Sequence, residues 1–168
     1  ATCRKEKDCK RLQDEGLESF LLDYGKEESI VSAISTIQVL TEGKLDAIFN
    51  NGAFLLPGAV EDLSRDALRN IFEVNFFGHI DLINKALPLL LKSDDGRVIN
   101  CSSVLGFAAL PYRGAYNATK FAIEGITDTI RRERTGEKIK FILIEPGPIN
   151  TRIRQNATQY FEKWIKWD

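Results

Sequence analysis

Short apolar runs separated by longer stretches of helical period are what most restrict the fold of this chain. The runs lie at residues 1–3, 19–22, 46–49, 97–101 and 140–144, and they read as continuous rather than alternating. A strand that alternates apolar and polar residues has one wet face, whereas a strand apolar throughout is covered on both. Between the runs, residues 4–15, 26–42, 64–91 and 116–134 have helical character, with Gly16, Gly43 and Gly136 as natural stops. Ser64 is placed to cap the third stretch, and Pro88 predicts a kink or an interruption in its last turns. Alternation of this kind predicts an α/β fold, a doubly wound parallel sheet in three αβα layers. In such sheets ligands bind beyond the carboxyl ends of the strands. Arg4, Asp23, Asn50, Ser103 and Pro146 each follow a run. Core packing gives polar residues no reason to collect at one end of a sheet, so this placement marks a site.

The stretch from Ser102 to Lys120 carries the most chemistry. Tyr116 and Lys120 are four residues apart, so on a helix they share a face. A cation beside a phenol favours the phenolate and lowers its pKa towards neutrality, where it works as acid or base. Ser103, at the end of a run, can offer a hydroxyl to a substrate oxygen. In Asn50-Asn51-Gly52-Ala53, small residues let backbone approach a ligand. Asn75 is a polar residue in an apolar helical stretch and needs hydrogen-bond partners if buried. The lone histidine, His79, has no second ligand or serine partner in a recognisable arrangement and reads as structural.

The Tyr-x-x-x-Lys pair, with Ser103 thirteen positions ahead of the tyrosine, resembles the short-chain dehydrogenase/reductase family. The Asn-Asn-Gly-Ala stretch adds to the resemblance, with the family's last two residues transposed. So does Pro146-Gly147-Pro148-Ile149-Asn150-Thr151, which is similar to the family's segment beneath the nicotinamide. The resemblance implies a Rossmann-like fold and a catalytic set of Asn75, Ser103, Tyr116 and Lys120. Tyr116 would be the acid/base, Lys120 would lower its pKa and hold the nicotinamide ribose, Ser103 would polarise the carbonyl, and Asn75 would position a relay water. It also implies cofactor contacts from Arg4, Asp23, Tyr24, Asn50, Asn51, Gly52, Tyr116, Lys120, Pro146, Gly147, Ile149 and Thr151. No acidic residue ends the run before Arg4, and a guanidinium there suits a 2′-phosphate, so NADP(H) is expected over NAD(H).

The implied reaction is hydride transfer between NADP(H) and an alcohol or carbonyl, with an aldehyde, ketone, retinoid or steroid as substrate. The resemblance implies that Tyr160, Phe161, Trp164, Ile165 and Trp167 belong to a substrate lid, and so an apolar substrate; the residues fit equally an amphipathic helix packed on the core or on a partner. Two rivals share parts of the pattern, a nucleotide-sugar epimerase-type relative and a non-catalytic NAD(P)-sensing or scaffold protein. The family's glycine-rich loop, first strand and last strand have no counterpart in the sequence. The expectation is therefore one incomplete domain over 1–168, truncated at both ends, with 152–168 the start of the lid and the sheet left as two halves.

Composition narrows the partners. A net charge of −1 gives no reason to expect nucleic acid or a membrane surface. No run of apolar residues is long enough for a membrane segment. Cys3, Cys9 and Cys101 lack metal-ligand spacing, so no metal and a reduced, cytoplasmic setting are expected. By analogy with the family, the helices over 64–91 and 116–134 would pair in a homodimer or homotetramer.

Overall fold

The computed structural model describes residues 1–166. Trp167, counted above with the apolar lid, and the last position of the 152–168 segment lie outside the described residues. The chain runs β1 (Thr2–Cys3), α1 (Glu6–Asp14), β2 (Phe20–Leu21), α2 (Glu27–Leu40), β3 (Ala47–Asn50), α3 (Arg65–Phe72), α4 (Gly78–Leu90), β4 (Arg97–Cys101), α5 (Gly114–Glu133), β5 (Lys140–Ile144) and α6 (Ile153–Trp164). β1 pairs with β2, and β3, β4 and β5 pair in that order. All pairings are parallel. The result is a Rossmann-like α/β fold, parallel sheets flanked by helices, with the sheet in the two pieces that the sequence leads one to expect.

Alternation along the strands decides which helix covers which face. Cys3, in register with Leu21, lies beside Cys9 of α1. Phe20 and Leu22 face the other way and pack with Ile30 and Ala33 of α2. α1 and α2 therefore cover opposite faces. In the second sheet, Ile48, Val98 and Phe141 form one register row against Ile83, Ala86 and Leu90 of α4. The next row begins with Phe49, which is 53% exposed, so burial on both faces does not extend to this residue.

The stretch 64–91 corrects one expectation. Ser64 does cap it, its Oγ accepting from the Ala67 N–H at 3.2 Å. Pro88, however, lies inside α4 without ending it. It stands close to the helix end, so the one backbone bond it removes leaves the rest of the ladder intact, and the Leu91 N–H reaches the Leu87 carbonyl at 2.9 Å. The break lies earlier, at a π-helical turn over Glu73–Phe77. Two contacts hold the chain there. The Asn75 amide bonds the backbone of Phe54. Gly78 lets α4 touch the loop after β2 so closely that a Cβ would stand 2.1 Å from the Tyr24 carbonyl oxygen.

A third apolar cluster joins Leu55, Leu56 and Ile71 to Tyr116 and to Ala157 of α6. It lies directly under the residues of interest. Among the described residues no helix is long and apolar enough to cross a membrane.

Two glycines separate close packing from helix propensity. Gly78→Ala must displace backbone and is expected to cost more than about 3 kcal/mol. Gly125, inside α5, has no atom within 4 Å of an added Cβ. Gly125→Ala is expected to stabilise by about 0.5–1 kcal/mol. Urea unfolding midpoints of the two variants against the parent measure both.

Candidate active site

The carboxyl end of β4 delivers Ser102 and Ser103 into a tight turn. The Ser103 hydroxyl accepts from the Leu105 N–H at 3.1 Å, and the Val104 N–H donates to the Pro146 carbonyl at 3.1 Å. The serine loop is thereby tied to the segment that follows β5. Opposite it, α5 presents Tyr116 and Lys120 from the one face that their spacing implies. Tyr116 is 9% exposed and Lys120 1%. The Lys120 ammonium donates to the Cys101 carbonyl at 2.6 Å and stands 5.5 Å from the centre of the Tyr116 ring.

Burial controls both groups. It pulls the Lys120 ammonium down to about 8. The Tyr116 phenol is raised above its ordinary value, first by burial, while a hydrogen bond with Ser103 pulls the other way. The lowering by the lysine expected from sequence is therefore not what this structure has. The ammonium sits over the ring face and is spent on a backbone carbonyl, and loss of solvent outweighs it.

Beneath the cleft runs a buried polar chain. The Tyr24 hydroxyl donates to Asn50 Oδ1 at 3.2 Å, Asn50 Nδ2 to Asn100 Oδ1 at 3.0 Å, and Asn100 Nδ2 to Thr127 Oγ1 at 3.0 Å. Asn50 and Asn100 face each other in the β3–β4 register and neither is exposed. Asn50 was expected to touch a cofactor, yet its side chain points into this chain and is not part of the cleft wall. Asn75 is likewise below the surface. Its Oδ1 accepts from the Phe54 N–H at 3.0 Å, and its Nδ2 donates to the Phe54 carbonyl at 2.9 Å and to Thr119 Oγ1 at 3.4 Å. The amide is satisfied, as burial requires.

His79 adds a support of the same kind. Its Nε2 lies 2.7 Å from the Gly52 carbonyl, which can only accept, so that nitrogen carries the proton. Its ring centre is 4.5 Å from that of Tyr24. Gly52 is needed beside this pair, because an added Cβ would stand 2.5 Å from the Tyr24 ring.

The other residues singled out from sequence do meet. Arg4, Asp23, Tyr24, Asn51, Gly52, Ser103, Tyr116, Lys120, Pro146, Gly147, Ile149 and Thr151 line a single cleft of about 1060 Å³. Asp23 accepts from the Gly25 N–H at 3.1 Å, a local turn rather than a helix cap. Arg4 donates to the Tyr160 hydroxyl at 3.4 Å and so links β1 to α6. Sequence reasoning passed over Asn100, Arg113 and Arg154. For Asn100 the available signal was its place as a second polar residue at the end of an apolar run.

The cleft suits an extended anionic nucleotide. Its wall carries the Asp23 carboxylate at one end, glycine-bearing backbone at Gly52 and Gly147, and the cations of Arg4 and Lys120. Among the described residues no group of His, Cys, Asp or Glu is arranged to hold a metal.

Comparison with known proteins agrees with this geometry. The family model described as short chain dehydrogenase matches residues 3–160. An uncharacterised oxidoreductase, YbbO of Escherichia coli strain K12, is 40% identical over 159 residues, 95% of this chain and 59% of that protein. Human retinol dehydrogenase 8 is 35% identical over 130 residues, 77% of this chain and 40% of that protein. The solved structure of a short-chain dehydrogenase from Streptomyces avermitilis superposes with a TM-score of 0.83 at 28% identity, covering 90% of this chain and 58% of that one. The chain thus spans well under two thirds of the length of these relatives.

Burial also sets a pH dependence. The pKa of His79 is lowered to about 4, so the ring is neutral in the fold. The unfolded chain takes up this proton nearer pH 6.5, and the folded chain only near pH 4. Stability contributed by the neutral ring is therefore complete above about pH 6.5 and falls as pH drops towards 4, by up to about 3 kcal/mol. His79→Gln, which keeps a donor for the Gly52 carbonyl, is expected to remove this part of the slope. Urea unfolding of parent and variant at pH 7 and pH 4.5 gives the difference, with the carboxylates common to both.

Proposed function

Since the chain belongs to the short-chain dehydrogenase family, we propose that the protein is an NADP(H)-dependent oxidoreductase that interconverts an alcohol and a carbonyl, with Tyr116 as its acid/base. The observation that carries this reading is the meeting of Ser103, Tyr116 and Lys120 at the carboxyl end of β4, in the same cleft as the residues expected to hold a dinucleotide. When bound, the dinucleotide supplies or accepts the hydride.

Everything else falls to the chain itself. The Ser103 hydroxyl donates a hydrogen bond to the substrate oxygen and polarises the C–O bond. Tyr116 gives its phenolic proton to that oxygen in reduction and takes one from it in oxidation. A raised Tyr116 pKa keeps the phenol protonated at neutral pH, the form that reduction requires. Lys120 supplies fixed positive charge beside the Tyr116 ring and a donor towards the ribose. Asn75 belongs to the proton path to Lys120 in this reading, and the π-helical turn it occupies supports that, since a widened turn takes a carbonyl off the regular ladder.

Cofactor contacts are assigned to Asp23 and Tyr24 at the adenine, Asn51 and Gly52 along the dinucleotide, and Pro146, Gly147, Ile149 and Thr151 near the nicotinamide. Thr151 already bonds the first turn of α6, its Oγ1 accepting from the Ile153 N–H at 3.3 Å. The preference for NADP(H) rests on Arg4, which follows β1 with no carboxylate at the strand end, and whose guanidinium lies in the cleft wall. An apolar substrate fits the walls given by Leu105, Leu110 and Ile149.

Fluorescence titration with NADPH and NADH, followed by absorbance assays on an aldehyde and ketone panel, tests the reading beside Tyr116→Phe. NADPH is expected to bind more tightly than NADH. The variant is expected to keep NADPH binding and to lose at least about a hundredfold in turnover, the usual weight of general acid catalysis. Cofactor binding without turnover on any carbonyl would favour the non-catalytic sensor, and binding of neither cofactor would overturn the assignment.

A further inference from the structure

The cleft wall is strongly positive, and some of its cations have no part in the cofactor assignment above. The whole chain is −1, yet the charged side chains that line the cleft are Arg4, Arg113, Lys120, Arg152 and Arg154 against a single carboxylate, Asp23. A low-dielectric cleft with walls of one sign concentrates anions. Arg4 and Lys120 are assigned above, but Arg113, Arg152 and Arg154 are not, and of these three Arg113 and Arg154 recur elsewhere.

These two arginines border a second, smaller cavity of about 210 Å³. It shares Leu55, Arg113 and Arg154 with the main cleft, and Pro57, Ala157 and Phe161 give it apolar walls. Arg113 is the residue before α5, three positions ahead of Tyr116, and both line the main cleft. Its position is fixed. It forms a bridge with Gly58, whose N–H donates to the Tyr112 carbonyl at 3.2 Å. Its Nη1 donates to the Tyr112 carbonyl at 3.0 Å, which leaves most of a fork of five N–H donors available. Arg154, in the first turn of α6, lines the same cavity. Among the described residues neither arginine enters an ion pair. Two guanidinium groups that line one apolar cavity and have no ion-pair partner among the described residues supply the donors that a planar carboxylate accepts.

We propose that Arg113 and Arg154 hold a carboxylate at the far end of the substrate, so that the substrates are carboxylate-terminated aldehydes or ketones with an apolar chain. The inference rests on the oxidoreductase reading for the word substrate and on the cavity alone for the anion site. The carbonyl end of the molecule lies at Ser103 and Tyr116, its chain runs along Leu105 and Leu110, and its carboxylate enters the side cavity. Arg113 and Arg154 thereby determine specificity and stay apart from the proton transfer.

The test separates binding from chemistry. Calorimetric titration with nonanoate and with nonan-1-ol, with and without NADPH, needs no turnover. Nonanoate is expected to bind at least about tenfold more tightly than the alcohol, as a charge-assisted pair allows. Arg154→Gln, a change on an exposed helix turn, and Arg113→Gln are each expected to reduce that preference about tenfold, and Arg113→Lys to restore part of it. The ratio of kcat/KM for 9-oxononanoate over its methyl ester is expected to follow the same order. Equal binding of acid and alcohol, or a preference that both glutamine variants leave intact, overturns the carboxylate site. An arginine-dependent preference for nonanoate with no turnover of any aldehyde overturns the oxidoreductase reading and upholds the anion site.

Discussion

The amide pair between Asn50 and Asn100 is the contact on which the working end of the molecule depends. Two polar side chains at the last paired positions of β3 and β4 would each be unfavourable in an apolar interior. Together they satisfy each other, and they pass the remaining valences to Tyr24 on one side and Thr127 on the other. One buried chain thus fixes the loop after β2, the ends of two strands and the flank of α5. Such a network is favourable only when complete. Loss of any member leaves a buried partner unsatisfied, at about 1–3 kcal/mol. The strand ends carry the cleft residues, so the same chain sets the distances among Gly52, Ser103 and Lys120.

Desolvation is the second constraint, and it acts on the chemistry directly. The Lys120 ammonium is almost completely buried and donates a hydrogen bond to the Cys101 carbonyl. That bond explains how a lysine can be held in such a place at all, and burial explains why its pKa is drawn to about 8. The same dry surroundings raise the phenol of Tyr116. Neighbouring groups of opposite character, an ammonium and a phenol, are in this way pushed towards their neutral forms together.

How much of this was legible beforehand follows from the kind of signal involved. The strands were readable because continuous apolar runs leave few alternatives, and β5 occupies the residues that its run marks. That Ser103, Tyr116 and Lys120 share one cleft was readable from a strand end and a helical spacing. Orientation was less accessible. Nothing in the sequence tells whether Asn50 turns to the cleft or to Asn100, since that depends on a partner fifty positions away. The break in 64–91 was placed at Pro88 by a local rule, whereas the actual break follows from tertiary contacts of Asn75 and Gly78 with Phe54 and Tyr24. The direction of the Tyr116 shift was missed for a similar reason, because spacing reports a nearby cation and says nothing of the solvent lost. Arg113 and Arg154 look in sequence like ordinary solvated charges at helix starts.

These tertiary contacts also connect elements that are distant in sequence. The Asn75 amide fixes the backbone of Phe54 from both sides. The Phe54 ring stacks on Tyr160 of α6 with centres 4.0 Å apart and planes 20° from parallel. The Tyr160 hydroxyl in turn accepts from Arg4 beyond β1. The widened helical turn is therefore linked to α6 through one aromatic stack and one hydrogen bond, beside the apolar packing of Ala157 and Phe161. Arg154 rides on the first turn of that helix, and Arg113 forms a bridge with Gly58. The place of Arg154 beside the side cavity thus depends on how α6 docks on Phe54, and through Phe54 on the buried asparagine of the π-helical turn.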